Sequence, residues 1–93
     1  MTINIEVKAY PITYKNSEFG NENWASYIGV CKDGWHDAIL DSAIDAKCYY
    51  FMDEDEFKRV EIGDNLDGEC IIKSIAKEPE FSETITYNEE DFV

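Results

Sequence analysis

Residues 2–10 alternate more strictly than any other stretch, and that alternation limits the fold most. Ile3, Ile5, Val7 and Ala9 fall on one side of an extended chain; Thr2, Asn4, Glu6 and Lys8 fall on the other. A strand with one apolar face requires a sheet beside it and a layer over that face. Pro11 ends this strand or marks a sheet edge, because it has no N–H to give to a ladder. Ile12, Thr13 and Tyr14 can resume the strand beyond a bulge.

Residues 15–23 read as a polar loop tied down by Phe19, and residues 24–31 as a second strand. Gly29 inside that strand implies a bend or a close approach by another group. Lys32-Asp33-Gly34 then turns the chain.

The stretch 33–56 carries the pattern hardest to place. Aspartates recur every fourth position, at Asp33, Asp37, Asp41 and Asp45. On a helix they would line one face about 6 Å apart, close to the phosphate step of a nucleic-acid strand. That helix would also put Leu40 and Ile44 beside the aspartates and Trp35, Ile39 and Ala46 opposite, giving it two apolar faces. Read with period two, Ala38, Leu40, Ile44, Ala46 and Cys48 share one face, and Asp37, Asp41, Asp45 and Lys47 the other, with Ile39 the exception. The extended reading is favoured over residues 36–47, with a turn at Asp41-Ser42 fitting equally well. Residues 47–52, with Tyr49, Tyr50 and Phe51, read as the central strand of the sheet.

Asp53 then caps a short helix over residues 54–60, with acids in its first turn, Lys58 and Arg59 in its last, and Phe57 and Val60 as its buried pair. A tight acidic hairpin loop is the rival reading. Residues 70–76 form a strand apolar on both faces, and residues 81–87 a last one, with Phe81, Glu83, Ile85 and Tyr87 on one side. The sum is a single α+β domain over residues 1–93, mostly antiparallel β. We expect one strongly curved sheet of five or six strands, or a small open barrel, with one or two short helices and residues 88–93 loose.

Twenty-one acids against eight Lys and Arg give a net charge of −13. Self-repulsion on that scale argues against direct binding to nucleic acid or to an anionic membrane and favours a basic protein partner. A solvated acidic surface that only resists aggregation is the plain alternative. Cys31, Cys48 and Cys70 lack the spacing of a redox or zinc motif; Cys31 and Cys48 read as small buried hydrophobes. The odd number and the lack of a legible secretory leader point to a reducing, cytoplasmic setting.

Catalytic signals are sparse. His36 is the lone histidine, no serine sits in a nucleophile-elbow context, and the glycines are scattered singly. The run Asp64 to Glu69 lacks the ligand spacing of a calcium loop. No cofactor, metal or enzymatic activity is expected; a small hydrolase using His36 is the remote exception.

In size and charge the chain resembles two groups: phage-encoded nucleic-acid mimics, including anti-restriction and anti-CRISPR proteins, and the acidic immunity proteins of nuclease toxins. The resemblance rests on bulk properties and assigns no residue. It implies an inhibitory protein whose carboxylates take the place of phosphates in a basic groove, where Arg can bind them bidentately. The candidate contacts are Asp37, Asp41, Asp45, Asp53, Glu54, Asp55 and Glu56, with Trp35 and Tyr49 as anchors if they are not simply core. The competing expectation is a structural or assembly domain, marked by an apolar surface patch around Trp24, Tyr27 or Phe19.

Overall fold

The computed structural model describes residues 1–16, 22–32, 34–66 and 68–92, leaving out the side chain of Phe92. Phe19 and its loop, Asp33 of the aspartate series, and Asp67 lie outside the described residues.

The alternating segment becomes β1 (Thr2–Asn16), the axis of a six-stranded sheet. On one side it pairs with β2 (Asn23–Cys31), which in turn pairs in parallel with β3 (Tyr50–Asp53). On the other side two strands follow one another along it. β6 (Phe81–Asn88) pairs with Thr2 through Ala9, and β5 (Cys70–Ile75) with Ile12 through Asn16. The two-residue β4 (Asn65–Leu66) borders β5.

Pro11 neither ends the strand nor marks an edge; it pairs with Tyr27 in the middle of the sheet. Ala76 donates to the Pro11 carbonyl at 2.9 Å and Glu80 to the Ala9 carbonyl at 2.8 Å. A strand residue's nitrogen and carbonyl face the same side. The missing N–H of Pro11 therefore faces the crossing from β5 to β6, where no ladder bond is needed. The register slip lies further on, between Thr13 and Tyr14 against β5.

The sheet buries both faces, at different ends. Ile5, Val7 and Ala9 join Cys31, Ile39 and Ile44 in a first core, flanked by Phe51, Phe81, Ile85 and Tyr87. Past Pro11 the buried residues of β1 change parity: Ile12 joins Ile28, Val30, Met52, Cys70 and Ile72 on the opposite face, with Phe57 and Val60 against them. Residues 37–48 cover the first face, and α1 (Glu54–Arg59) the second.

This split overturns the expectation of a strongly curved sheet or open barrel. The sheet is open and not strongly curved. A barrel has one interior, whereas this sheet needs a separate cover on each face. Its edge strands are β3, β4 and β6, and β3, with four residues, is too short to close against either of the others. The two offset cores stretch the molecule to 47 × 24 × 19 Å.

The 36–47 region is neither a strand nor one helix. A 3-10 turn at Asp37–Ile39 is followed by further turns, with Asp41 at φ 65. The Ser42 hydroxyl donates to the Ile39 carbonyl and accepts from the Asp45 N–H. The anchors are Ile39 and Ile44, both fully buried, while Leu40, assigned inward by the period-two reading, is 49% exposed. Each buried isoleucine contributes on the order of 2 kcal/mol, so two of them hold the cover without regular structure. Residues 47–52 are corrected as well, because β3 is an edge strand. Its apolar density reflects its place between the cores, with Phe51 in one and Tyr50 and Met52 in the other. Near the end of the chain, Glu89–Phe92 forms a 3-10 turn whose Glu89 N–H bonds Met1.

Candidate interaction surface

The acids sit on the two covers. On the first, Asp37 opens the 3-10 turn and is exposed, as is Asp41; Asp45 is half-buried. His36 organises the start of this cover. Its Nδ1 accepts from the Ala38 N–H at 2.9 Å, and its ring stacks on Tyr87 with centroids 4.2 Å apart. The cover runs from β6, where the Lys47 ammonium lies 5.0 Å from the Phe81 ring centroid, to Tyr49, whose N–H bonds the Tyr27 carbonyl beside β3.

On the second cover, the Asp53 Oδ1 accepts from the Glu56 N–H at 2.8 Å and caps α1 as the sequence suggests. Glu54, Asp55 and Glu56 are exposed in the first turn, where the helix dipole favours them. Asp45 and Asp53 are electrostatically linked to neighbouring thiols. Burial, then Asp53, pushes Cys31 up to about 11; burial, then Cys31 and Asp45, does the same for Cys48. Both thiols stay protonated and act as apolar filling.

The seven candidate acids therefore do not form one patch: Asp37, Asp41 and Asp45 lie on the cover of the first face, and Asp53, Glu54, Asp55 and Glu56 at the start of α1 on the second. The carboxylate rail with helical spacing does not form, because the segment is not a helix. Between described residues the structure holds one ion pair, Lys8 to Glu6 at 3.8 Å.

The proposed aromatic anchors separate. Trp35 is 48% exposed and available for contact. Tyr49 packs in the second core, its ring 5.1 Å from that of Tyr14.

Sequence reasoning missed two features. The first is a groove of about 500 Å³ on the first face beyond Pro11, where no described segment covers the sheet; its lining includes Pro11, Thr13, Ala25, Tyr27, Ala76 and Glu80. The Tyr27 hydroxyl donates to Glu80 at its rim, and this bond, with burial, raises the tyrosine's pKa. The signal the groove leaves in the sequence is faint: the small Thr13 and Ala25, which only strand pairing sets opposite each other. The second is the outer edge of β6, which no alternation reveals because it depends on strand order.

Among the described residues no cluster of His, Cys, Asp or Glu is arranged to hold a metal ion, and no helix is long and apolar enough to cross a membrane. No family model, curated protein or solved structure matches this chain.

Proposed function

We propose that this protein is a non-catalytic inhibitor that binds, through its acidic covers, the nucleic-acid-binding surface of a basic protein such as a nuclease or a nucleic-acid-guided complex. One observation carries the reading: 21 acids against 8 Lys and Arg leave a net charge of −13 that the chain's own bases cannot neutralise. Glu54, Asp55 and Glu56 stand on a capped turn, and Asp37 and Asp41 on a cover pinned by two buried isoleucines, so their carboxylates are presented on fixed backbone. Such preorganised acids can replace phosphates for Lys and Arg at reduced entropic cost.

The groove beyond Pro11, with Trp24 45% exposed on the opposite face of β2, favours a second reading as an assembly domain that binds protein by apolar contact. Affinity capture from a bacterial lysate, eluted with rising salt and run in parallel with competing DNA, separates the two. A basic nuclease or nucleic-acid-guided complex that salt weakens and DNA displaces supports the inhibitor. A partner indifferent to both overturns it in favour of assembly.

A further inference from the structure

The outer side of β6 is a long, unpaired edge whose polar groups can be assigned by residue. The Lys32 N–H reaches the Glu6 carbonyl, so even-numbered residues of β1 turn their backbone groups toward β2. Odd-numbered ones turn toward β6, where Ile3, Ile5 and Val7 stand opposite Tyr87, Ile85 and Glu83. The intervening residues, Ser82, Thr84 and Thr86, then direct their N–H and C=O groups outward. No strand among the described residues pairs with this edge, and all three residues are exposed.

Edges are commonly protected by proline, lysine, a bulge or shortness. β6 has no proline, lysine or bulge and is not short: it runs eight residues, Phe81–Asn88, in unbroken register with β1, and Glu83 is its one charged residue. Its ends are acidic, with Glu78 and Glu80 exposed before it and Glu89, Glu90 and Asp91 exposed after it.

We infer that this edge receives an extended strand from a cationic partner, which joins the sheet beside β6 and sets Lys or Arg side chains over the acids at both ends. The main chain of the incoming strand bonds Ser82, Thr84 and Thr86, which gives affinity, and the flanking charges set its register. A second copy of this chain is a poor occupant. Antiparallel pairing of two copies centred on Thr84 would place Glu78 opposite Glu90, between molecules each carrying −13. The inference rests on the basic-partner reading above and specifies how such a partner docks.

The test uses the isotope-labelled protein and two synthetic peptides of equal charge. One has an alternating Thr–Val centre with lysines at both ends; the other is interrupted by prolines and cannot form a strand. The expected result is slowed amide exchange at Ser82, Thr84 and Thr86, on the order of tenfold or more, with the first peptide only. Thr84→Pro removes an outward N–H, a substitution that edge strands accept, and should abolish the protection while Ile85 stays bonded to Ile5. If Thr84→Pro does not fold, Thr84→Lys carries the same test by repelling the cationic strand, and weaker binding is expected. Equal binding of both peptides, with resonance shifts at Glu54 to Glu56 and Asp37 to Asp45 but none along β6, overturns the edge inference and leaves the acidic-cover reading standing. Failure of both peptides to bind also overturns the edge inference, while DNA displacement of a captured partner still judges the cover reading separately.

Discussion

The ring of Phe51 lies directly over Gly29: a Cβ built there would stand 2.5 Å from both Cδ1 and Cε1 of the ring, and 3.2 Å from a Val7 methyl carbon. The close approach implied by the glycine is thus a parallel register pair, Gly29 with Phe51, at the junction of β2 and β3. Gly29→Ala must push the ring out of the first core. We expect a loss of about 1 to 3 kcal/mol, typical of overpacking, read as a lower urea midpoint at unchanged slope. Phe51→Leu makes room, so the alanine should cost less in that background, by about 1 kcal/mol or more in a double-mutant cycle. Strict additivity would show that the contact does not govern this position.

That pair also shows what was legible in the sequence. Short-range rules read the β1 alternation, the alternation of β6 and the Asp53 cap correctly, because each depends on neighbours within a few residues. Strand order was not legible: β1 meets β5 and β6, far along the chain, and no local pattern records those pairings. Ile39 and Ile44 escaped for a different reason. Anchors five apart across a turn fit neither the helical period nor the strand period. The acidic series was visible, but its division between two covers follows from β1 switching buried faces at Pro11, which looked like a strand end.

Asp53 serves the fold through its cap, whereas Glu54 is only exposed. Asp53→Ala should cost about 1 kcal/mol by denaturant melt, and Glu54→Gln a few tenths at most. If the partner uses the acids of α1, Glu54→Gln should weaken binding without this stability loss. Equal destabilisation by the two variants would contradict the cap.

Asp41 occupies left-handed space at φ 65. Asn tolerates that region and Gly enters it freely, so Asp41→Asn and Asp41→Gly should leave the midpoint nearly unchanged. A β-branched Val there should cost about 1 to 2 kcal/mol. Asp41→Asn also removes one charge from the first cover without disturbing it, which makes it the clean probe of partner contact. A destabilised asparagine variant would mean that the carboxylate itself holds the turn.

Cys31 and Cys48 set the alkaline behaviour. Their folded pKa values, about 11, lie above the ordinary thiol value of 9.0. Below pH 9 both states keep their protons and the thiols give no pH dependence. Between about pH 9 and 11 the unfolded chain loses protons that the folded chain retains, so stability falls as pH rises. Urea midpoints should therefore drop across that window. The drop should be shallower in Cys31→Ala, although Tyr14 and Tyr27, whose pKa values are also raised, keep part of it. At neutral pH the native protein should react slowly with a thiol-specific dye and quickly once unfolded. Rapid labelling of Cys31 in the native state would refute its burial.

The uncompensated charge predicts an unusual response to salt. With a net charge of −13 and one ion pair between described residues, screening relieves far more repulsion than attraction. Raising salt from about 10 mM to about 150 mM shortens the screening length from roughly 30 Å to roughly 8 Å. The melting temperature should rise over that range, and charge-removing variants such as Asp41→Asn and Glu54→Gln should reduce the rise because less repulsion remains. Partner binding should move the other way and weaken as salt increases, since it draws on the same field. A protein whose folding and binding both ignore salt would show that its acids are merely solvated.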